Sequence, residues 1–198
     1  MSKITVTVLL LAGLAPCLSA QGFDGWGRVK WGATQTQVLD TYKAEGVKEV
    51  EVTVFEFKGA EIAIPEYKIG EDSFTVEFAF DRDGLKQVVL KPNIGDYLSG
   101  KVNADAAKKL GVSSRDIARI NDNVTMSDLN QVAERVLELL EQKYGPPSKL
   151  EKSRMNGLGA EWYLDAGKIA VIAGRNPAWG TYEMRLVYFR KDKAVDKL

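Results

Sequence analysis

The chain has no histidine and one cysteine, Cys17. Cys17 falls in an N-terminal stretch that reads as a cleavable leader, so the mature chain is expected to hold neither residue. That excludes a disulfide, a thiol nucleophile, a Cys/His zinc site and an imidazole base. An excess of one charge is also missing, since 27 Lys and Arg stand against 27 Asp and Glu. A near-neutral protein has no global electrostatic pull toward nucleic acid or anionic lipid. Chemistry is left to Asp, Glu, Lys, Tyr, Ser and Thr.

The leader spans residues 1–20. Lys3 is its positive start, Ile4 to Ala15 its apolar run, and Leu18-Ser19-Ala20 places a small residue before a cut at Gln21. The run is too short to span a membrane well, so no integral membrane segment is expected after cleavage. Pro16 fits poorly with the small residue that a lipid-modification site needs before Cys17. Losing Lys3 leaves 26 basic residues against 27 acidic ones. The roughly 178 residues that follow can bury a full core. The expected address is the periplasm or the exterior.

What is present is patterned. Leu129, Val132, Ala133, Val136, Leu137, Leu140 and Tyr144 recur at helical spacing. They predict a long amphipathic helix from Thr125, with Asp128 completing a capping signal, to the stop at Gly145-Pro146-Pro147. A shorter helix is predicted from Thr34, with Gln37 in a capping box and Val38, Leu39 and Tyr42 on its apolar face, ending at Gly46. Val50 to Phe57 reads as a strand with a phase shift. Ile62 and Ile64 start another, which Pro65 assigns to a sheet edge or ends. Phe74, Val76, Phe78 and Phe80 make a strand, Asp81-Arg82-Asp83-Gly84 a hairpin turn, and Leu85 to Lys91 its return. Two short helices are expected near residues 104–110 and 114–120. Strands follow at 149–155, 160–165 and 168–173, and a last one carries Tyr182, Met184, Leu186 and Tyr188 on one face.

Two halves rhyme. Each has a glycine-closed helix, then Gly-Ala-Glu (59–61 and 159–161), then a strand with alternating aromatics. The expected fold is α+β: two helix-plus-antiparallel-sheet units, as a tandem duplication. Their bounds are 21–91 and 125–190, with a helical connection at 92–124 and a flexible tail at 191–198.

Several patterns have a chemical and a structural reading. Ala107, Gly111 and Ile117 have helix-turn-helix spacing, but an exported neutral chain should not meet DNA; the expected reading is a helical hairpin capped by Ser113 or Ser114. Asp81 to Gly84 lacks the later ligands of a calcium loop. Gly157-Leu158-Gly159-Ala160 precedes a strand, unlike a dinucleotide fingerprint. Asn123-Val124-Thr125 is a glycosylation sequon, relevant only in a eukaryotic secretory path. Glu61, Glu77, Glu161 and Glu183 lie in strand patterns and are expected on a solvated face. Trp31 and Trp162 read as core. Trp26 and Trp179 lie in glycine-rich surroundings and are candidate exposed anchors, with Arg175 and Asn176 beside the second.

Trp31-Gly32-Ala33-Thr34 at a helix start, and Lys143-Tyr144-Gly145-Pro146 at a helix end followed by strands with Trp162 and Leu186 to Tyr188, resemble small exported bacterial proteins of uncharacterised type. More distantly they are similar to the small lipoprotein of the outer-membrane barrel-assembly machinery and to β-lactamase-inhibitor proteins. The resemblance implies an envelope address and a structural motif set, with no catalytic residue carried over. The expected function is a soluble periplasmic binding or protein-interaction protein, not an enzyme. No catalytic residue, metal or cofactor is assigned, no nucleic acid is expected, and another envelope protein is a candidate partner. The alternatives are a carboxylate-based hydrolase of glycosidase type, and an envelope assembly factor or enzyme inhibitor.

Overall fold

The computed structural model describes residues 23–50, 60–93, 111, 113–153, 157–175 and 182–191. The elements in chain order are β1 (Gly25–Trp26), β2 (Val29–Lys30), α1 (Gln35–Thr41), a 3-10 turn (Lys43–Glu45), β3 (Lys48–Glu49), β4 (Ala60–Ile69), β5 (Asp72–Asp81), β6 (Gly84–Pro92), α2 (Ser114–Tyr144), β7 (Lys149–Ser153), β8 (Gly157–Leu164), β9 (Gly167–Arg175) and β10 (Tyr182–Arg190). β1 and β2 pair with each other, while the remaining strands join in one antiparallel sheet ordered β3-β4-β5-β6-β10-β9-β8-β7. The fold mixes helix and strand and is mostly sheet.

Two separate sheets are therefore corrected to one. The seam is β6 against β10, with Leu90 opposite Leu186 and Val88 opposite Tyr188. α1 and α2 serve the same core: Val38 of α1 and Tyr42 at its C-cap lie in one apolar cluster with Leu129, Val136 and Leu140 of α2. Phe74, Val76 and Phe78 are fully buried in it, as the alternation of β5 predicts. Gly-Ala-Glu does not mark equivalent places: Ala60 opens β4 and pairs with Ala79, whereas Ala160 sits mid-strand and pairs with Val171.

The long helix starts earlier than its apolar stripe. Ser113 is the N-cap, accepting from Asp116 N at 3.1 Å, and the helix runs unbroken for 31 residues. The separate short helix at 114–120 is its first turns, and the unit boundary at 124 falls inside it. Asn121, Asp122 and Asn123 are weak helix formers, yet no glycine or proline interrupts residues 113–144. Thr125 thus lies within the helix. Gly145, at φ 80°, ends it as expected.

The Trp31-Gly32-Ala33-Thr34 start has a clear physical role. Thr34 and Gln37 form the reciprocal capping box at 3.3 and 2.8 Å. Just before it, Gly32 N donates to Leu85 O at 3.0 Å and Leu85 N donates to Ala33 O at 2.8 Å. This docks the helix entry on the β5–β6 hairpin. A Cβ on Gly84 would sit 2.2 Å from Gly32 O, and its φ is +91°, so glycine is required there twice over.

The same hairpin holds an acid-sensitive pair. Asp81 Oδ1 accepts from Asp83 N at 2.8 Å, and Arg190 Nη2 donates to Asp81 Oδ2 at 2.7 Å. Burial pushes the Asp81 carboxyl up, but the Asp83 amide and the Arg190 guanidinium outweigh it and hold it below its ordinary value. A depressed carboxylate adds stability that is full above the unfolded pKa of about 3.9 and fades as pH falls through the lower folded value. The Asp81→Asn variant is expected to lose stability less steeply than the parent below about pH 4. Acid titration followed by circular dichroism in fixed denaturant reads this; parallel curves for the two proteins would contradict it.

Candidate functional site

The site begins with a displaced register. Between Ile64 and Tyr67, β4 shifts against β5, so that Ile64 faces Val76 and Tyr67 faces Phe74. The extra residue puts Tyr67 on the same face as Ile64, while Pro65 and Glu66 point out. Pro65 has no N–H to lose, and its carbonyl accepts from Thr75 Oγ1 at 3.2 Å and Asn93 Nδ2 at 3.1 Å. Proline therefore marks a bulge inside a ten-residue strand rather than its end. Only Lys48 and Glu49 of β3 pair with β4, at Ala63 and Ile62, so Pro65 lies beyond that pairing.

The β1–β2 hairpin brings the second wall. Gly27, at φ +56°, turns the chain. Tyr42 at the end of α1 holds the turn, donating to Trp26 O at 3.2 Å and accepting from Arg28 N at 2.9 Å. A Cβ on Gly27 would sit 2.3 Å from the Tyr42 hydroxyl. Burial of Tyr42 raises its pKa and keeps it a donor. Trp26 is thereby folded inward, with ring centroids 5.6 Å from Tyr42, 5.3 Å from Tyr67 and 5.5 Å from Phe78. The exposed-anchor expectation for Trp26 is corrected: its surroundings are glycine-rich because a tight turn buries it, and it is 7% exposed.

Between these walls and the end of α2 lies a cleft of about 700 Å³. Phe23, Asp24 and the β1 residues line one side, Tyr67, Lys68 and Ile69 another, and Lys143 and Tyr144 a third, with Tyr188 of β10 between them. Phe23 stacks on Tyr188 at 6.1 Å and meets Tyr144 edge-on at 6.2 Å. Tyr188 is 9% exposed. Burial raises its pKa strongly, with Tyr144 and Tyr67 adding to the shift, so the phenol stays protonated across the physiological range. Among the described residues, none of the hydroxyls of Tyr67, Tyr144 and Tyr188 has a hydrogen-bond partner. Three phenols that can each donate and accept thus line one cleft.

The charged rim is uneven. Asp24, the one carboxylate among the described lining residues, pairs with Lys30 at 3.1 Å. Lys68 pairs with Glu66 at 3.6 Å. Lys143 has its ammonium 5.1 Å from the Tyr144 ring centroid. It sits in the last turn of α2, where it offsets the helix dipole.

The predicted carboxylates lie elsewhere. Glu77, Glu161 and Glu183 are on the sheet face away from the helices, alternating with core residues. Glu77 pairs with Lys91 at 2.8 Å, Glu161 with Lys168 at 3.0 Å, and Glu183 with Arg185 at 2.6 Å. Hydrogen bonds from Tyr163 and Lys168 hold Glu161 below its ordinary pKa, and the same bond raises Tyr163. The side chain of Glu61 lies outside the described residues. Arg175 ends β9 with its guanidinium 5.7 Å from the Tyr182 ring centroid. Asn176 and Trp179 lie outside the described residues, as do all but Val50 of the strand expected from Val50 to Phe57 and the helix expected near 104–110. Among the described residues no helix is long and apolar enough to cross a membrane.

Comparison with protein-family models, curated proteins and solved structures gives no match. The geometry of the cleft is therefore the ground on which function is read. No local sequence pattern marks this cleft. Tyr144 and Tyr188 look like core positions on apolar faces, and Tyr67 has a periodic signal only once the bulge is known. The usable signal is chemical: a tyrosine at the end of an apolar stripe has a polar tip that needs a partner or an opening.

Proposed function

We propose that this chain is an exported binding protein whose cleft between β1, the end of β4 and the end of α2 takes a small ligand. The observation that carries the reading is the set of three phenols, without hydrogen-bond partners among the described residues, on a partly apolar cavity of about 700 Å³, a size within the usual range for small-molecule sites. Packing alone does not favour this arrangement, because phenylalanine would fill the same volume without a hydroxyl to satisfy. Export is supported by the Lys3, apolar-run and Ala20 order of the leader.

A tandem origin of the two helix-then-meander runs belongs to the same proposal. One register row supports it: Lys48, Ala63, Glu77, Val89, Val187, Ala170, Glu161 and Lys149 lie side by side across the sheet. Lysine stands on both outermost strands and valine on both central ones, with one alanine and one glutamate between them in each half.

One experiment tests export and binding together. The full chain is expressed in a Gram-negative host, purified from the periplasmic fraction without denaturant, and weighed by native mass spectrometry. The expected result is a chain beginning at Gln21 with a small-molecule adduct that is lost in Ile69→Trp, which fills the cleft. A full-length chain in the cytoplasm would overturn export. Identical spectra for parent and variant would overturn the cleft.

A further inference from the structure

We propose that the cleft selects a small organic anion, a single carboxylate or phosphate group on an apolar body. This rests on the binding reading above and adds the chemistry of what is bound. The side-chain groups the cleft has left to offer are phenols, each able to donate, and a cation without a carboxylate among the described residues. Tyr188 presents a protonated hydroxyl from a ring that is 9% exposed. Tyr67 and Tyr144 add two more hydroxyls on the same lining. The only lining carboxylate among the described residues, Asp24, is already paired with Lys30 at 3.1 Å.

Lys143 decides the sign. Among the described residues it has no carboxylate within ion-pair distance, whereas Lys68 has Glu66 at 3.6 Å. Its ammonium lies over the ring of Tyr144, and both residues line the cleft. An anionic group placed there meets one cation and neutral phenol donors, and charge-assisted bonds are the strong ones. Phe23, Trp26 and Ile69 give the rest of such a ligand an apolar surface. A neutral ligand would satisfy the phenols and leave Lys143 unused; a cation would face Lys68 and Lys143 with no spare carboxylate.

The test is isothermal titration of the mature protein with octanoate, octyl phosphate and octanol, each at low and at 0.5 M salt. At least one anion should bind one-to-one, about tenfold or more tighter than octanol. The tighter of the two anions identifies the headgroup. Lys143→Gln should weaken that anion about tenfold and leave octanol unchanged, and Tyr188→Phe should weaken the anion while circular dichroism stays native. Added salt should weaken the anions and spare octanol. Equal affinities for octanol and both anions would overturn the anion assignment and leave the binding cleft standing. Failure of all three to bind would overturn both.

Discussion

Trp162→Ala is expected to lower unfolding stability by about 4 kcal/mol, the range for a large aromatic removed from a core. The side chain is 1% exposed, on β8 beneath the end of α2. Its loss leaves a cavity that β8, hydrogen-bonded to β7 on one edge and β9 on the other, closes only in part. A second contribution is polar. Trp162 Nε1 donates to Gly145 O at 2.8 Å, satisfying a carbonyl where the helix has ended. Trp162→Phe separates the two effects: it keeps most of the packing and loses the bond, for an expected cost of about 1–2 kcal/mol. Denaturant unfolding with an unchanged slope reads both values. A loss under about 1 kcal/mol for the alanine variant would show that the site collapses fully and that Trp162 does not anchor the helix end.

Arg135→Ala is expected to cost about 3 kcal/mol, and Asp72→Ala clearly less. The pair ties α2 to the β4–β5 hairpin. Arg135 Nε and Nη2 reach the two Asp72 carboxyl oxygens at 3.0 and 2.6 Å. The Asp72 side chain is 5% exposed and that of Arg135 36%. Removing the arginine therefore strips the bidentate cation from a buried carboxylate. Removing the aspartate leaves a guanidinium that still reaches water and Glu71, at 3.4 Å. The double variant should cost less than the sum, since the second change removes the charge that the first exposed. Equal single costs, or strict additivity, would show that burial of Asp72 does not control the pair.

These two sites also show why some of the structure is readable from sequence and some is not. Phe74 to Phe80, the Asp81–Gly84 turn and the Thr34–Gln37 box depend on neighbours a few residues away, so their pattern carries their structure. Trp162 reads as core on the same ground. The Asp72–Arg135 tie joins residues that no local pattern relates. The cleft is likewise long-range, gathered from the N-terminal hairpin, the β4 bulge, the helix end and β10. Its aromatics imitate ordinary core residues, and Trp26 is buried by a turn whose glycines suggest exposure. The first turns of α2 have no local signal because they lack the apolar stripe that predicts the rest. The joining of the two meanders into one sheet depends on β6 meeting β10, a pairing without any sequence signature.

That pairing has a consequence for how the molecule is made. β10 comes last among the described strands, yet it occupies the middle of the sheet, between β6 and β9. A chain emerging from a ribosome or a translocation channel exposes β6 as an open edge until β10 arrives. Loop closure between Leu90 and Leu186 is among the most distant contacts in the sheet, and such contacts slow folding. Until it forms, β6 is an apolar strand, unpaired on one side, at the edge of the β4–β6 meander, a feature that recruits aggregation or a chaperone. Assembly is thus gated by the arrival of the final strand, and Tyr188, carried on that strand, reaches the cleft only when the sheet closes.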